Sequence, residues 1–123
     1  MKLAISSTGS DLESNVDPRF GRCQYFIIYD TETKKFEAIT NDAAVASGGA
    51  GIQAARIIKN KNAEVVLTGN VGPNAMNALS AANIRVAVGV TGTVKDAIEK
   101  FLTGEYKLTS QANVAPHFGF KEQ

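Results

Sequence analysis

Apolar positions along the chain change period part-way through it. Leu3-Ala4-Ile5 is a short apolar run ending in Ser6-Ser7-Thr8-Gly9, the pattern of a buried strand meeting a loop. Residues 10–23 are polar and contain Pro18, which predicts a long connection. Tyr25-Phe26-Ile27-Ile28-Tyr29 is aromatic and β-branched, a second strand. Asp30 to Lys35 carries turn chemistry, and Phe36, Ala38 and Thr40 then alternate with Glu37 and Ile39 in a third strand, which makes a hairpin.

Beyond the hairpin the period becomes helical. Ser47-Gly48-Gly49-Ala50-Gly51 opens a segment in which Ile52, Ala55 and Ile58 share a face, running to about Asn60. Glu64 to Thr68 predicts a strand ending at Gly69, and Pro73 suits the first position of a helix that carries Met76 and Leu79 and stops near Asn83. Ile84 to Val88 is a further strand, followed by Gly89-Val90-Thr91-Gly92. In the last helix Val94, Ala97, Ile98, Phe101 and Leu102 fall on one stripe, with Thr93 and Asp96 resembling a capping box and Gly104 a C-terminal cap. The tail from Glu105 has little periodicity. The pattern predicts one α/β domain over residues 1–104 and a tail over 105–123.

Strands alternating with helices in the second half imply parallel strands and right-handed crossovers. The expected architecture is a three-layer α/β fold whose sheet order also occurs in ribonuclease-H-like folds. It has a five-stranded mixed sheet in the order 3-2-1-4-5, the second strand antiparallel, and three helices. Loops 6–9, 41–51, 69–72, 89–93 and 17–23 would then gather at one edge, where open α/β sheets bind ligands. A ribonuclease-H-like order raises nuclease activity, but two-metal nucleases need several carboxylates around the central strands. Lys2 to Ser7 has no acid and Glu64 stands only at the start of its strand, so that activity is rejected.

Composition narrows the remaining classes. The 123 residues are 44% hydrophobic, and 13 Lys and Arg against 12 Asp and Glu leave no global field for nucleic acid or an anionic membrane. A single cysteine excludes an intramolecular disulfide and a four-cysteine metal site in one chain. No apolar run approaches the about 18 residues of a membrane span, and Met1 to Ile5 is too short for a signal peptide, so the expected location is the cytoplasm. The chain has neither G-x-x-x-x-G-K-[ST] nor G-x-G-x-x-G, which argues against nucleotide chemistry.

At the predicted edge three helices begin after glycine-containing loops, and helix N-termini favour anions. The glycines equally serve tight turns and caps. In Asp17-Pro18-Arg19-Phe20-Gly21-Arg22-Cys23 two arginines precede the only thiol. Were both to face Cys23, its pKa would fall and a thiolate would be available to a soft metal; a cysteine entering an apolar strand is as often a small buried hydrophobe. His117, the only histidine, is either an exposed tail residue or, if the tail folds back, a second ligand.

Lys2-Leu3-Ala4-Ile5, Phe20-Gly21-Arg22 before Tyr25-Phe26, Gly48-Gly49-Ala50-Gly51, Leu67 to Ala75 and Gly89 to Val94 together resemble the dinitrogenase iron–molybdenum cofactor biosynthesis family. This is the NifX-like module, also found as the C-terminal domain of NifB proteins. The resemblance covers residues 1–104. It implies a non-catalytic, nitrogen-fixation-related carrier that transiently binds an iron–sulfur or iron–molybdenum precursor cluster and works with cluster-assembly or acceptor proteins. Carried onto this chain, the binding positions are Arg19, Phe20, Gly21, Arg22, Gly48, Gly49, Gly51, Gly69, Asn70, Gly72, Gly92 and Thr93, with Cys23 and His117 as candidate metal ligands. The alternatives are a small-anion or metabolite-binding module, or one that regulates a partner, using the same loop face without metal.

Overall fold

The computed structural model describes residues 1–113. Its five strands are β1 (Lys2–Ser7), β2 (Tyr25–Asp30), β3 (Phe36–Thr40), β4 (Val65–Leu67) and β5 (Arg85–Ala87), in the order β3-β2-β1-β4-β5. β1 pairs antiparallel with β2, Lys2 opposite Asp30 and Ser7 opposite Tyr25, and parallel with β4, Leu3 opposite Val65. β2 and β3 form the hairpin, and β5 continues the parallel half with Val65 opposite Arg85. The order and directions agree with those expected from the alternation of strands and helices.

The helices α1 (Ala50–Asn60), α2 (Pro73–Ala81) and α3 (Val94–Leu102) cover both faces. Ala4, Phe26, Ile28, Val66 and Val86 face α1 and α2 through Ala54, Ile58, Met76 and Leu79. Leu3, Ile5, Ile27, Val65, Leu67 and Ala87 face α3 through Val94, Ala97 and Ile98. A sheet buried on both sides needs apolar residues at consecutive positions, which is why β1 and β4 read as runs with no alternation.

Some expectations shift. Ile52 does not join the inner face of α1: it is 38% exposed, and the buried positions are Ala50, Ala54, Ala55 and Ile58. Alanines set that face because α1 lies against α2 at very short range, a Cβ added at Gly51 falling 2.7 Å from Cβ of Ala75. Leu102, the last helical residue of α3, is 55% exposed, so the apolar stripe outruns the surface it packs on. The connection 41–49 holds a 3-10 turn at Asp42–Val45, capped by the Asn41 side chain. Beyond Gly104, Thr109 pairs antiparallel with Val86 and covers part of the β5 edge. Among the described residues no helix is long and apolar enough to cross a membrane.

Candidate functional site at the loop edge of the sheet

The C-terminal ends of β1, β3, β4 and β5 meet at one edge, and the connection 8–24 crosses it. Val16 bridges to Ser7, Asn15 to Thr93 and Arg19 to Asn70. Two buried hydroxyls at the strand ends fix this connection: Ser6 Oγ donates to the Asp17 carbonyl at 2.6 Å and lies 2.6 Å from Thr68 Oγ1. Asp17 is itself buried. Its Oδ1 accepts the Arg19 backbone N–H at 2.9 Å and Nε at 3.2 Å, and Oδ2 accepts Nη2 at 3.2 Å. That bond and the adjacent negative charge hold the Arg19 pKa above its ordinary value.

The chain around Arg19 lies on the approach to α2. Asn70 N donates to the Pro18 carbonyl at 2.7 Å, and a Cβ at Gly69 would come within 2.6 Å of Pro18 Cα. Asn113 closes the same loop from the other side: its Oδ1 accepts from Val71 N at 2.7 Å, and its Nδ2 donates to the Gly69 carbonyl and to Asn70 Oδ1. Gly21 then passes under the start of α1, where a Cβ would meet Gly51 N at 2.9 Å. Residues 18–22 thus run from the loop before α2 to the first turn of α1.

The three helix starts differ. At α3, Val94 N donates to the Ser14 carbonyl, Lys95 N to the Leu12 carbonyl and Asp96 N to Thr93 Oγ1, so its first donors are used by the protein. At α1 and α2 the preceding residues are Gly49 and Gly72, which supply no side-chain cap, and neither first turn holds an acid. Uncapped first-turn N–H groups with the positive end of the helix dipole form an anion-binding arrangement. Here two lie side by side, Gly51 of α1 against Ala75 of α2, and the backbone of Arg19 is bridged to Asn70 in the loop before α2.

Arg22 and Cys23 do not form the pair the sequence allowed. Arg22 Nη1 donates to the Ala44 and Ala46 carbonyls at 2.8 and 2.6 Å, tying loop 41–49 to the site. Cys23 is fully buried, its Sγ donating to the Phe20 carbonyl at 3.4 Å. Burial pushes the thiol up to about 12, Asp17 adding to the rise. The conditional expectation of a lowered thiol pKa is therefore corrected: both guanidinium groups are engaged elsewhere, and desolvation governs Cys23. Asn41 donates to the carbonyls of Gly21 and Cys23 and locks this turn from behind.

Other predicted positions separate by what they touch. Phe20 is a core residue, its ring centroid 5.4 Å from that of Phe26. The faces of Gly21, Gly51 and Gly69 that lack a side chain are filled by protein, whereas a Cβ at Gly48 would meet nothing within 4 Å. Gly92 and Thr93 belong to the closed start of α3. His117 lies outside the described residues. Among the described residues no group of three or more His, Cys, Asp or Glu side chains could hold a metal ion. Sequence reasoning passed over Asp17, Asn41 and Asn113. The Asp-Pro-Arg order did carry a signal for Asp17, since aspartate accepting the N–H two residues on is a recognised turn. Asn41 carried the same kind of local signal, its Oδ1 accepting from Ala43 N, but nothing local marked the reach of its Nδ2 to Gly21 and Cys23, nor the contacts of Asn113 with Gly69 and Val71.

Fold and site define a small α/β protein with an anion-favouring loop edge. The sequence profile of the dinitrogenase iron–molybdenum cofactor family matches residues 1–104, and the chain belongs to that family. It is similar to the apo form of the orange protein from Desulfovibrio gigas, with 38% identity over 92% of this chain and 96% of that one and a TM-score of 0.90. A provisionally named NifB protein from Thermotoga is also 38% identical, over 92% of this chain and 97% of its own, with a TM-score of 0.81. An uncharacterised protein of Methanocaldococcus jannaschii is 28% identical over 109 residues, 85% of this chain and 92% of its own.

Proposed function

We propose that the chain is a non-catalytic carrier that holds an anionic iron–sulfur or iron–molybdenum precursor cluster on the loop edge and delivers it to a cluster-assembly or acceptor protein. The observation that carries this reading is the pair of adjacent helix starts, α1 and α2, left without side-chain caps, with the backbone of Arg19 bridged to Asn70 in the loop before α2. Backbone N–H groups and guanidinium donors can hold the sulfides of a cluster by charge and hydrogen bonds while its metal positions stay open for transfer. A similar protein that is named for an orange colour and solved in an apo form fits a coloured, removable ligand. Gly48, Gly49 and Asn70 line the approach in this reading. Arg22 shapes it by pinning loop 41–49.

Cys23 supports the site from beneath, since a thiol raised to about 12 is protonated at neutral pH. A direct ligand, if the carrier uses one, is His117, four residues beyond the anchor at Asn113.

Anaerobic incubation with iron and sulfide, followed by desalting, tests the reading. The expected result is a coloured protein with near-stoichiometric iron, retained in Cys23→Ala and reduced in His117→Ala if that residue is a ligand. A wild-type chain that emerges colourless overturns the carrier. The same uncapped helix starts also suit a metal-free anion as occupant. Thermal stabilisation by phosphorylated metabolites, with no iron uptake, would select that alternative.

A further inference from the structure

We propose that Asp17 is a positioning residue for the cargo: it fixes the Arg19 guanidinium edge-on, so that the donors left over face outward from the loop edge. This rests on the carrier reading above. The turn itself needs only one oxygen, Oδ1, to accept the Arg19 N–H at 2.9 Å. A serine or asparagine would supply that without placing a carboxylate where its side chain is 5% exposed. The second oxygen has a different use. Among the described residues Oδ2 accepts only from Arg19 Nη2, while Oδ1 also takes Nε, so one edge of the planar guanidinium is gripped at two points. The opposite edge, with both protons of Nη1 and one of Nη2, belongs to a side chain that is 66% exposed.

The charge of Asp17 has the wrong sign for an anion site, and this makes its role separable from electrostatics. Neutralising a carboxylate beside the face raises its positive potential, which alone would tighten anion binding. Loss of a positioning contact does the reverse, because the freed arginine must be ordered again in each binding event. The backbone of Asp17 is held in turn by Ser6, whose backbone carbonyl accepts Asp17 N at 2.9 Å and whose hydroxyl donates to the Asp17 carbonyl. The line of support therefore runs from the central strand to the exposed fork.

The test uses a synthetic [4Fe–4S] thiolate cluster anion, titrated anaerobically into the full chain and into Asp17→Asn, Arg19→Gln and the double variant. Hydrogen exchange at Arg19 Nε–H is followed by nitrogen-15 NMR without cargo. Asp17→Asn is expected to lose Nε–H protection and to bind about tenfold more weakly. In the Arg19→Gln background the same change is expected to alter binding by less than about twofold, because it acts only through that arginine. Binding by Asp17→Asn equal to or tighter than wild type overturns the proposal, and so does an equal loss in both backgrounds. Should Asp17→Asn not fold, Arg19→Lys keeps the charge and removes the fork; wild-type affinity there overturns the proposal as well. A wild-type chain that binds none of the cluster overturns the carrier reading and the proposal with it. A wild type that binds, matched by Asp17→Asn, overturns the proposal alone.

Discussion

The start of α3 and the paired starts of α1 and α2 lie at the same edge of one sheet, after glycine loops of similar composition, yet the protein treats them oppositely. At α3, residues 12–14 fold back to accept the first N–H groups and Thr93 caps the next, with Asp96 placed in the first turn. Each of these is a stabilising choice for a helix that only has to pack. At α1 and α2 the same stabilisation is forgone: glycine precedes both, no side chain caps either, and no acid enters the first turn. A composition that leaves donors uncapped at two adjacent helices is consistent with selection for something other than stability. The glycine count alone does not separate the two situations; the partners of the N–H groups do.

The largest expected effect comes from breaking the support beneath the open starts. Gly69→Ala would bring a methyl carbon within 2.6 Å of Pro18 Cα and 2.9 Å of its carbonyl oxygen, backbone atoms with no rotamer to yield. A loss of about 2–3 kcal/mol is expected, seen as a fall in Tm of roughly 10 °C. Gly48→Ala, where nothing lies within 4 Å, is expected to leave stability within about 0.5 kcal/mol of wild type and to act, if at all, on cargo uptake. Equal melting of the two variants would erase the distinction between packing glycines and open ones.

The next effect is read through pH. The Cys23 thiol is raised from an ordinary value of 9.0 to about 12, chiefly by burial. The folded state therefore binds this proton more tightly than the unfolded state does. Its stabilisation is complete below about pH 9 and is lost as the pH rises from there toward 12. Urea melts of wild type and Cys23→Ala at pH 8 to 11 isolate this group from the tyrosines and lysines. The stability difference between them is expected to shrink by about 1.4 kcal/mol per pH unit above pH 9. A difference that stays constant would mean that the turn under α1 is open to water, and that the thiol is available after all.

How much of this was legible in the sequence follows from the range of the interactions. The β-branched run 25–29, the alternation in residues 36–40 and the stripe from Val94 to Ile98 are local patterns, and the strand order came from such patterns with only the topology rules added. Ile52 misled because helical spacing gives a stripe without its rotation; the close contact at Gly51 decides which way α1 turns. Within the site, Arg19 and the glycine loops were visible as residue types at one predicted edge. Their division into gripped, packed and open positions was not. That division depends on Ser6 meeting Thr68 across 62 residues, Asn113 meeting Gly69 across 44, and Arg22 meeting Ala46 across 24. Cys23 was placed correctly in one of its two readings only once its desolvation was known.

Thr93→Ala tests the closed side of the comparison. Removing the hydroxyl that accepts Asp96 N at 3.0 Å is expected to cost about 1 kcal/mol by thermal or urea unfolding. Cargo uptake should not change, because the remaining α3 donors stay bonded to Ser14 and Leu12. Reduced uptake at undiminished fold would bring Thr93 and Gly92 back into the binding site and dissolve the contrast drawn above.

The smallest change in stability gives the sharpest test of the open side, because its two effects have opposite signs. Asn74 is exposed in the first turn of α2, one residue after Pro73, where no acid interacts with the helix dipole. Asn74→Asp places a carboxylate there and is expected to stabilise the chain by about 0.3–1 kcal/mol, measurable as a small rise in Tm. The same charge competes with an anionic cargo for the same N–H groups, so iron and sulfide uptake should fall while stability rises. A variant that gained both would show that the start of α2 is uncapped without being used, and the binding face would then have to be drawn from Arg19 and loop 41–49 alone.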